Sequence, residues 1–411
     1  MTVVEDHTDL VPPVGLAVTD LGAGTGPTWL DAWLDRHRGD LVAWRRRIHS
    51  LPEPARQEFR TTALVAEQLT AAGLTPRPLP CGTGLICDVG DGDRCVALRA
   101  DMDALRLTEQ TGLPFTSTVD GVMHACGHDA HTAIVLGAGL ALASAPALPG
   151  RVRLIFQPAE EVQPGGALDV IASGGLEGVE RIFALHCDPR LEVGTVGTRV
   201  GALTSACDQI EITVSGPGGH TARPHLTADV VQALGLLVTQ LPLLLTRQVD
   251  PRSGTVLVWG AVQAGEASNA IPESGVLRGT IRTADHATWG ELEEIVKSLV
   301  SAVLAPTGVG YTLNYVRGVP PVVNDAASSD LIRSAVVAAL GPESARGTEQ
   351  STGGEDFAWY LEHVPGAMAR LGVWSGSGPM HDIHQPTFDL DERALPVGVR
   401  VLVNTALSAL A

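Results

Sequence analysis

The chain has 411 residues, 45% of them hydrophobic and 18% charged, which is too long for one hydrophobic core and ordinary in composition for a globular protein of two domains. Its formal charge of -18 at pH 7 argues against nucleic acid or an anionic membrane as partners, since both would repel it. Six cysteines (Cys81, Cys87, Cys95, Cys126, Cys187 and Cys207) are spread through a chain that opens without the basic start and apolar run of a secretory leader. A reduced, cytoplasmic protein is therefore expected, with most cysteines acting as small core residues. No apolar run is long and unbroken enough for a membrane span; 234–245 contains Gln240 and Pro242 and reads as a buried helix.

Residues 1–27 hold Pro12, Pro13 and a glycine-rich run, and are expected to be an accessory extension without regular structure. From Trp29, the spacing of Trp33, Leu34, Leu41, Trp44 and Ile48 predicts a helix, and 61–72 a second. Short apolar or β-branched runs at 84–89 and 94–100 predict strands, the second running into Arg99-Ala-Asp101-Met-Asp103. The octet His124-Ala-Cys-Gly-His-Asp-Ala-His131 precedes an alanine- and leucine-rich helix at 130–145. A strand at 151–156 leads into Glu160-Glu161, and one at 182–185 ends at His186. This alternation predicts an α/β fold, a mostly parallel sheet with helices on both faces.

Near Cys207 the order changes to strand 209–214, helix 229–245, strands 255–262 and 275–283, helix 289–304 and strand 310–316. That βαββαβ succession predicts an inserted ferredoxin-like unit. After Pro320 and Pro321 the first pattern resumes, with a helix at 329–340, a loop at Glu355-Asp356, a strand near 368–373 and a last helix from Glu392. The expected division is an extension (1–27), a catalytic domain in two parts (28–205 and 318–411) and an insertion (206–317).

Metal-type side chains fall at predicted strand ends or in loops: Asp101 and Asp103, Cys126 and His128, Glu160 and Glu161, His186, and the downstream pair His381 and His384. Each alone has a plain reading, as a helix-capping loop, a solvated acid pair or a satisfied strand-end histidine. Drawn from several strand ends of one sheet, they converge at its carboxyl edge, and so many acids and imidazoles need a cation among them. Thiolate, imidazole and carboxylate suit zinc and its borderline neighbours. Adjacent glutamates suit a division of labour in which one holds metal and the other accepts a proton from the attacking water.

Arg99-Ala-Asp-Met-Asp-Ala-Leu, the octet, Phe156-Gln-Pro-Ala-Glu-Glu, Gly216-Pro-Gly-Gly-His-Thr-Ala-Arg-Pro-His, Gly354-Glu-Asp-Phe and His384-Gln-Pro-Thr-Phe together resemble the two-metal aminoacylase/carboxypeptidase-like amidohydrolases. The branch they resemble holds hippurate hydrolases, bacterial N-acyl-amino-acid amidohydrolases and plant indole-acetyl-amino-acid hydrolases. The resemblance runs in order from about Trp29 to the C-terminus. It implies Cys126, His128, Glu161, His186 and His384 as ligands of two divalent ions (zinc, manganese, cobalt or nickel). Five ligands cannot close two separate tetrahedra, so either one is shared or water fills the gaps, and Cys126, whose thiolate can bridge, is the candidate for sharing. It further implies Glu160 as general base and Asp103 as an orienting carboxylate, with Asp101, Asp129 and His131 as supports.

By the same resemblance the insertion is a lid and dimerisation domain whose His220 stabilises the oxyanion, across the subunit boundary in dimeric relatives. Asn269 and Arg282 would grip the substrate carboxylate and Gly353 and Gly354 let the substrate backbone pass, while Glu355-Asp356 is expected to be an exposed loop acid pair. Relatives commonly have Asn-Val-Ile-Pro and His-Ser-Pro where this chain has Asn269-Ala-Ile-Pro and His384-Gln-Pro, and neither change removes a reactive side chain. His384 is preferred over His381 because Pro386 and Phe388 follow it. The implied activity is hydrolysis of an N-acyl amino acid, a small-molecule substrate, to a carboxylic acid and a free amino acid by a homodimer. A carboxypeptidase or dipeptidase on short peptides would use the same centre. A metal- or ligand-binding relative without catalysis is the third reading, and it would need neither Glu160 nor His220.

Overall fold

The computed structural model describes residues 27–411, so the extension expected at 1–27 lies, Pro27 apart, outside the described residues. Eight strands form the large sheet in the order Arg77–Pro78, Leu85–Val89, Arg151–Gln157, Cys95–Asp101, Arg181–Glu192, Gly366–Trp374, Val196–Thr198, Ala345–Gly347. Its four central strands run parallel, whereas Leu85–Val89 and Val196–Thr198 pair antiparallel with their inner neighbours. Every residue of Cys95–Asp101 is buried, because helices cover both faces, and its sequence is accordingly apolar without alternation until the charged end. Successive residues still divide between faces: Val96, Leu98 and Ala100 join the core under the helices Thr28–Ser50, His128–Ala143 and Ala394–Leu410, while Cys95 and Ala97 pack with Phe357 and Tyr360 on the other side.

The inserted unit is a four-stranded antiparallel sheet in the order Val256–Ala264, Ser274–Thr283, Ala206–Ser215, Gly310–Val319. That order is ferredoxin-like, and the helices Val230–Leu245 and His286–Leu304 pack on one face over a core of their own. Ile210, Ile212 and Val214 face those helices, and the residues between them are more exposed, the period-2 pattern of a sheet covered on one side. Buried Asp208 ties the unit's base together, accepting from Trp289 Nε1 (2.9 Å), Gly318 N (2.8 Å) and Tyr315 Oη (2.5 Å).

Two of the boundaries that differ from expectation bear on the site. The strand predicted at 182–185 runs from Arg181 to Glu192, so His186 lies inside it. Pairing with Gly366–Trp374 carries it on through Pro189, which a local pattern reads as a stop. The helix predicted from Ala130 starts at His128, because Gly127 at its N-cap is left-handed (φ 87°) and turns the chain abruptly. A Cβ at Gly127 would stand 2.9 Å from Cys187 Sγ, so a side chain there is excluded by space as well as by φ.

Candidate metal centre and active site

A cavity of about 790 Å³ opens at the carboxyl edge of the large sheet, beside the inserted unit. Ligand atoms of Cys126, His128 and His186 lie within 4.8 Å of one another, as do those of Cys126, Glu161 and His384, and the Cys126 sulfur is common to both groups. Cys126 Sγ is 3.6 Å from His186 Nε2, and Glu161 Oε1 is 3.1 Å from His384 Nε2 and 4.0 Å from His128 Nε2. Two of the imidazoles are oriented by their other nitrogen. Nδ1 of His128 donates to the Asp103 carbonyl (2.9 Å) and Nδ1 of His186 to the Cys187 carbonyl (2.8 Å), which presents each Nε2 lone pair to the centre. Buried His128 Nε2 and Glu161 Oε1 have no hydrogen bond, and a divalent cation is the group that would satisfy this donor set. His384 holds a left-handed backbone (φ 63°) and its N–H donates to Ala125 O (2.7 Å), pinning the downstream loop to the octet.

His131 is supporting in geometry. Its Nδ1 bonds Asp101 Oδ1 (2.6 Å) and its Nε2 accepts from Cys187 N (2.8 Å), leaving no lone pair for a metal. Asp103 clamps the glutamate pair, one oxygen accepting from Glu160 N (2.9 Å) and the other from Glu161 N (3.0 Å). Burial, then the charges of Glu355 and Glu161, raises the pKa of Glu160 well above that of a free carboxyl. Burial disfavours the His128 imidazolium, but Asp101, Asp103 and Glu161 outweigh it and raise its pKa to about 10. Burial, then the charges of Glu161, Glu160, Asp101 and Glu355, pushes the Cys126 thiol up, a bias that a bound divalent cation would reverse.

Glu355 and Asp356, expected as an exposed pair, are buried. They hold Arg99, whose Nη2 donates to Glu355 (3.0 Å) and Asp356 (2.8 Å), while its Nη1 reaches Asp101 (2.6 Å) and its Nε reaches Gln157 (2.9 Å). The pair looked solvated because its counter-ion lies 256 residues upstream. Beneath the octet, Asp129 accepts from Arg45 Nε and bonds His49 Nδ1, each at 2.8 Å, with both partners buried. Sequence reasoning missed Arg99 as the counter-ion of the Glu355-Asp356 pair. The available signal was a guanidinium inside a strand whose other residues are nearly all apolar.

Residues 97–408 match the family described as Peptidase family M20/M25/M40. The chain belongs to this family. It is 53% identical over 386 residues, 93% of its length, to a Rhodococcus jostii (strain RHA1) protein that carries a glutamate–cysteine ligase name, but spans only 48% of that protein. It is 38% identical over 362 residues to the N-acetyl-L-cysteine deacetylase of Bacillus subtilis (strain 168), covering 86% of this chain and 84% of that one. Among solved structures, the Bacillus subtilis YXEP protein, described as a dinuclear metal binding peptidase from the M20 family, superposes with a TM-score of 0.80 at 35% identity, covering 92% of this chain and 99% of the other.

The remaining expected residues of this M20 chain divide. Arg282 lines the cavity with Gly353 and Gly354, its Nη1 donating to Thr352 O (2.6 Å). His220 and Asn269 do not line it. Both are exposed, next to a two-residue bridge between Gly219–His220 and Ala270–Ile271, where His220 Nδ1 accepts from Ala222 N (3.0 Å). His381 bonds Thr387 Oγ1 (2.9 Å) and belongs to neither ligand group. Among the described residues, no helix is long and apolar enough to cross a membrane.

Proposed function

We propose that this M20 chain is a metal-dependent amidohydrolase that cleaves N-acyl amino acids into a carboxylic acid and a free amino acid. The observation that carries the reading is the pair of ligand groups joined at Cys126, beside a glutamate that belongs to neither. Cys126, His128, Glu161, His186 and His384 would hold two divalent cations, drawn from zinc, manganese, cobalt or nickel, with Cys126 shared. Such ions, when bound, would supply Lewis acidity for the scissile carbonyl and lower the pKa of a bound water.

The chain's own groups do the rest. Glu160, its backbone fixed by Asp103, takes a proton from the attacking water and returns it to the leaving nitrogen. Its raised proton affinity suits that task better than an ordinary carboxylate would. Arg282, reaching in from the insertion, pairs with the free carboxylate of the substrate, and Gly353 and Gly354 leave room for its backbone. The insertion (206–317) acts as lid and dimerisation domain against the two-part catalytic domain. Since His220 and Asn269 stand outside their own cavity, the partner's His220 faces the developing oxyanion in a homodimer. The six cysteines are unpaired, which supports a cytoplasmic setting. The name of the Bacillus deacetylase supports an acyl amino acid, while the description of YXEP as a peptidase favours short peptides as a second substrate class on the same centre.

The test is a hydrolysis screen of N-acetyl, N-benzoyl, long-chain acyl and indole-acetyl amino acids and dipeptides with each metal, run on the native chain and on Glu160→Gln. The expected result is chelator-sensitive amide cleavage, with Glu160→Gln keeping its metal and losing about 10²–10⁴-fold in kcat. Cleavage that ignores chelator, or a fully active Glu160→Gln, would contradict the reading.

A further inference from the structure

We propose that Arg370 is a specificity-determining residue that receives a second carboxylate on the substrate, so that the N-acyl amino acids turned over best carry two anionic groups. The inference rests on the amidohydrolase reading and narrows its substrate class.

Arg370 sits mid-way along Gly366–Trp374, a strand otherwise made of small and apolar residues. Its register partners are His186 on one side and Gly197 on the other. Two residues beyond the Arg99–Ala184 pair, Asp101 stands level with His186, and Asp101 itself pairs with Gln157. A polar row, Gln157, Asp101, His186 and Arg370, therefore crosses the hydrophobic sheet at the floor of the site. The first three members all have partners within the protein.

Arg370 does not. It is only 7% exposed yet lines the cavity, and its guanidinium makes no hydrogen bond or ion pair with a described residue. The carboxylates whose charge reaches it are engaged elsewhere: Glu355 by Arg99 (3.0 Å) and Asp188 by Arg190 (2.7 Å). Burial consequently depresses the Arg370 pKa, against the usual rise of a paired arginine. A buried charge without a partner is costly, and a guanidinium facing a ligand cavity offers a planar fork that matches a carboxylate.

The second cation of the cavity is on the other wall. Arg282 comes from the inserted unit, in register with Cys207, and commits Nη1 to the Thr352 carbonyl, with no other hydrogen bond or ion pair to a described residue. One carboxylate satisfies one of these arginines and leaves the other empty-handed. The second carboxylate has two sources: a dicarboxylic acyl group, as in N-succinyl-L-alanine, or an acidic side chain, as in N-acetyl-L-glutamate.

The test compares kcat/KM of the metal-loaded chain and of Arg370→Met on these two substrates and on N-acetyl-L-alanine. The native chain should favour one dicarboxylate by at least about tenfold over N-acetyl-L-alanine, and Arg370→Met should collapse that ratio by about 30-fold or more, mainly through KM, as loss of a buried ion-pair partner does. Whichever dicarboxylate responds identifies the source. A native chain without that preference, or an Arg370→Met that lowers all three substrates in proportion, overturns the proposal and leaves the amidohydrolase reading standing. If none of the three is cleaved, the wider acyl-amino-acid screen decides the amidohydrolase reading, and calorimetry with succinate decides the anion site: weaker binding to Arg370→Met supports it, and equal binding to both chains overturns it.

Discussion

The edge of the large sheet and the His220 corner of the insertion are held in opposite ways. At the sheet edge most of the candidate ligands are braced: His128 and His186 through backbone carbonyls, Glu161 through Asp103, and the octet through Asp129, Arg45 and His49. Arg99 locks three carboxylates behind them. The His220 corner has a two-residue bridge and one hydrogen bond to its own turn, and it faces solvent. A rigid half can be completed within one chain. The proposed dimer would give the His220 corner the bracing that its own chain does not supply.

The largest expected effect lies in the rigid half. Replacing Arg99 by Met leaves Asp101, Glu355 and Asp356 buried without their counter-ion and should cost about 3–5 kcal/mol of stability, the usual penalty for breaking a buried pair from one side. Denaturant unfolding reads it directly, and an unchanged midpoint would mean that the network does not brace the site.

His220→Ala should do the reverse. Activity falls by about 10²–10³-fold, as for loss of one oxyanion donor, while the unfolding midpoint stays where it was. Mixing His220→Ala with Glu160→Gln should restore activity if the two halves come from different subunits, because the hybrid holds one intact combination. Failure to restore would place His220 in its own chain's site.

A smaller effect is set by pH. Burial disfavours the charged form of His49, but Asp129 and Glu109 outweigh it and raise its pKa from 6.5 to about 9. The raised group stabilises the fold fully below about pH 6.5, and that contribution, at most about 3 kcal/mol, is lost as pH rises through about 9. The native midpoint should fall across this window and His49→Gln should flatten the fall; a native midpoint that holds steady from 6.5 to 9 would remove His49 from the brace.

The parallel sheet and the ferredoxin-like order were legible because buried strands and amphipathic helices leave periodic signatures. The candidate ligands were legible because cysteine, histidine and glutamate cluster in short motifs. What stayed hidden depends on partners distant in sequence. Glu355 and Asp356 read as solvent-facing until Arg99 was placed behind them, and the continuation of the His186 strand through Pro189 depends on its neighbour Gly366–Trp374. Arg370 was passed over because a single charge in a strand carries no motif, and its meaning comes from the cavity it faces.

The sharing of Cys126 between two ligand groups is the centre of the account, and metal stoichiometry tests it most directly. Elemental analysis of the chain equilibrated with cobalt should find two ions per subunit, with sulfur-to-cobalt absorption. Cys126→Ala should lose that absorption and hold one ion or none, while His220→Ala keeps both. A native chain that saturates at one ion, or a Cys126→Ala that still binds two, would contradict a shared thiolate.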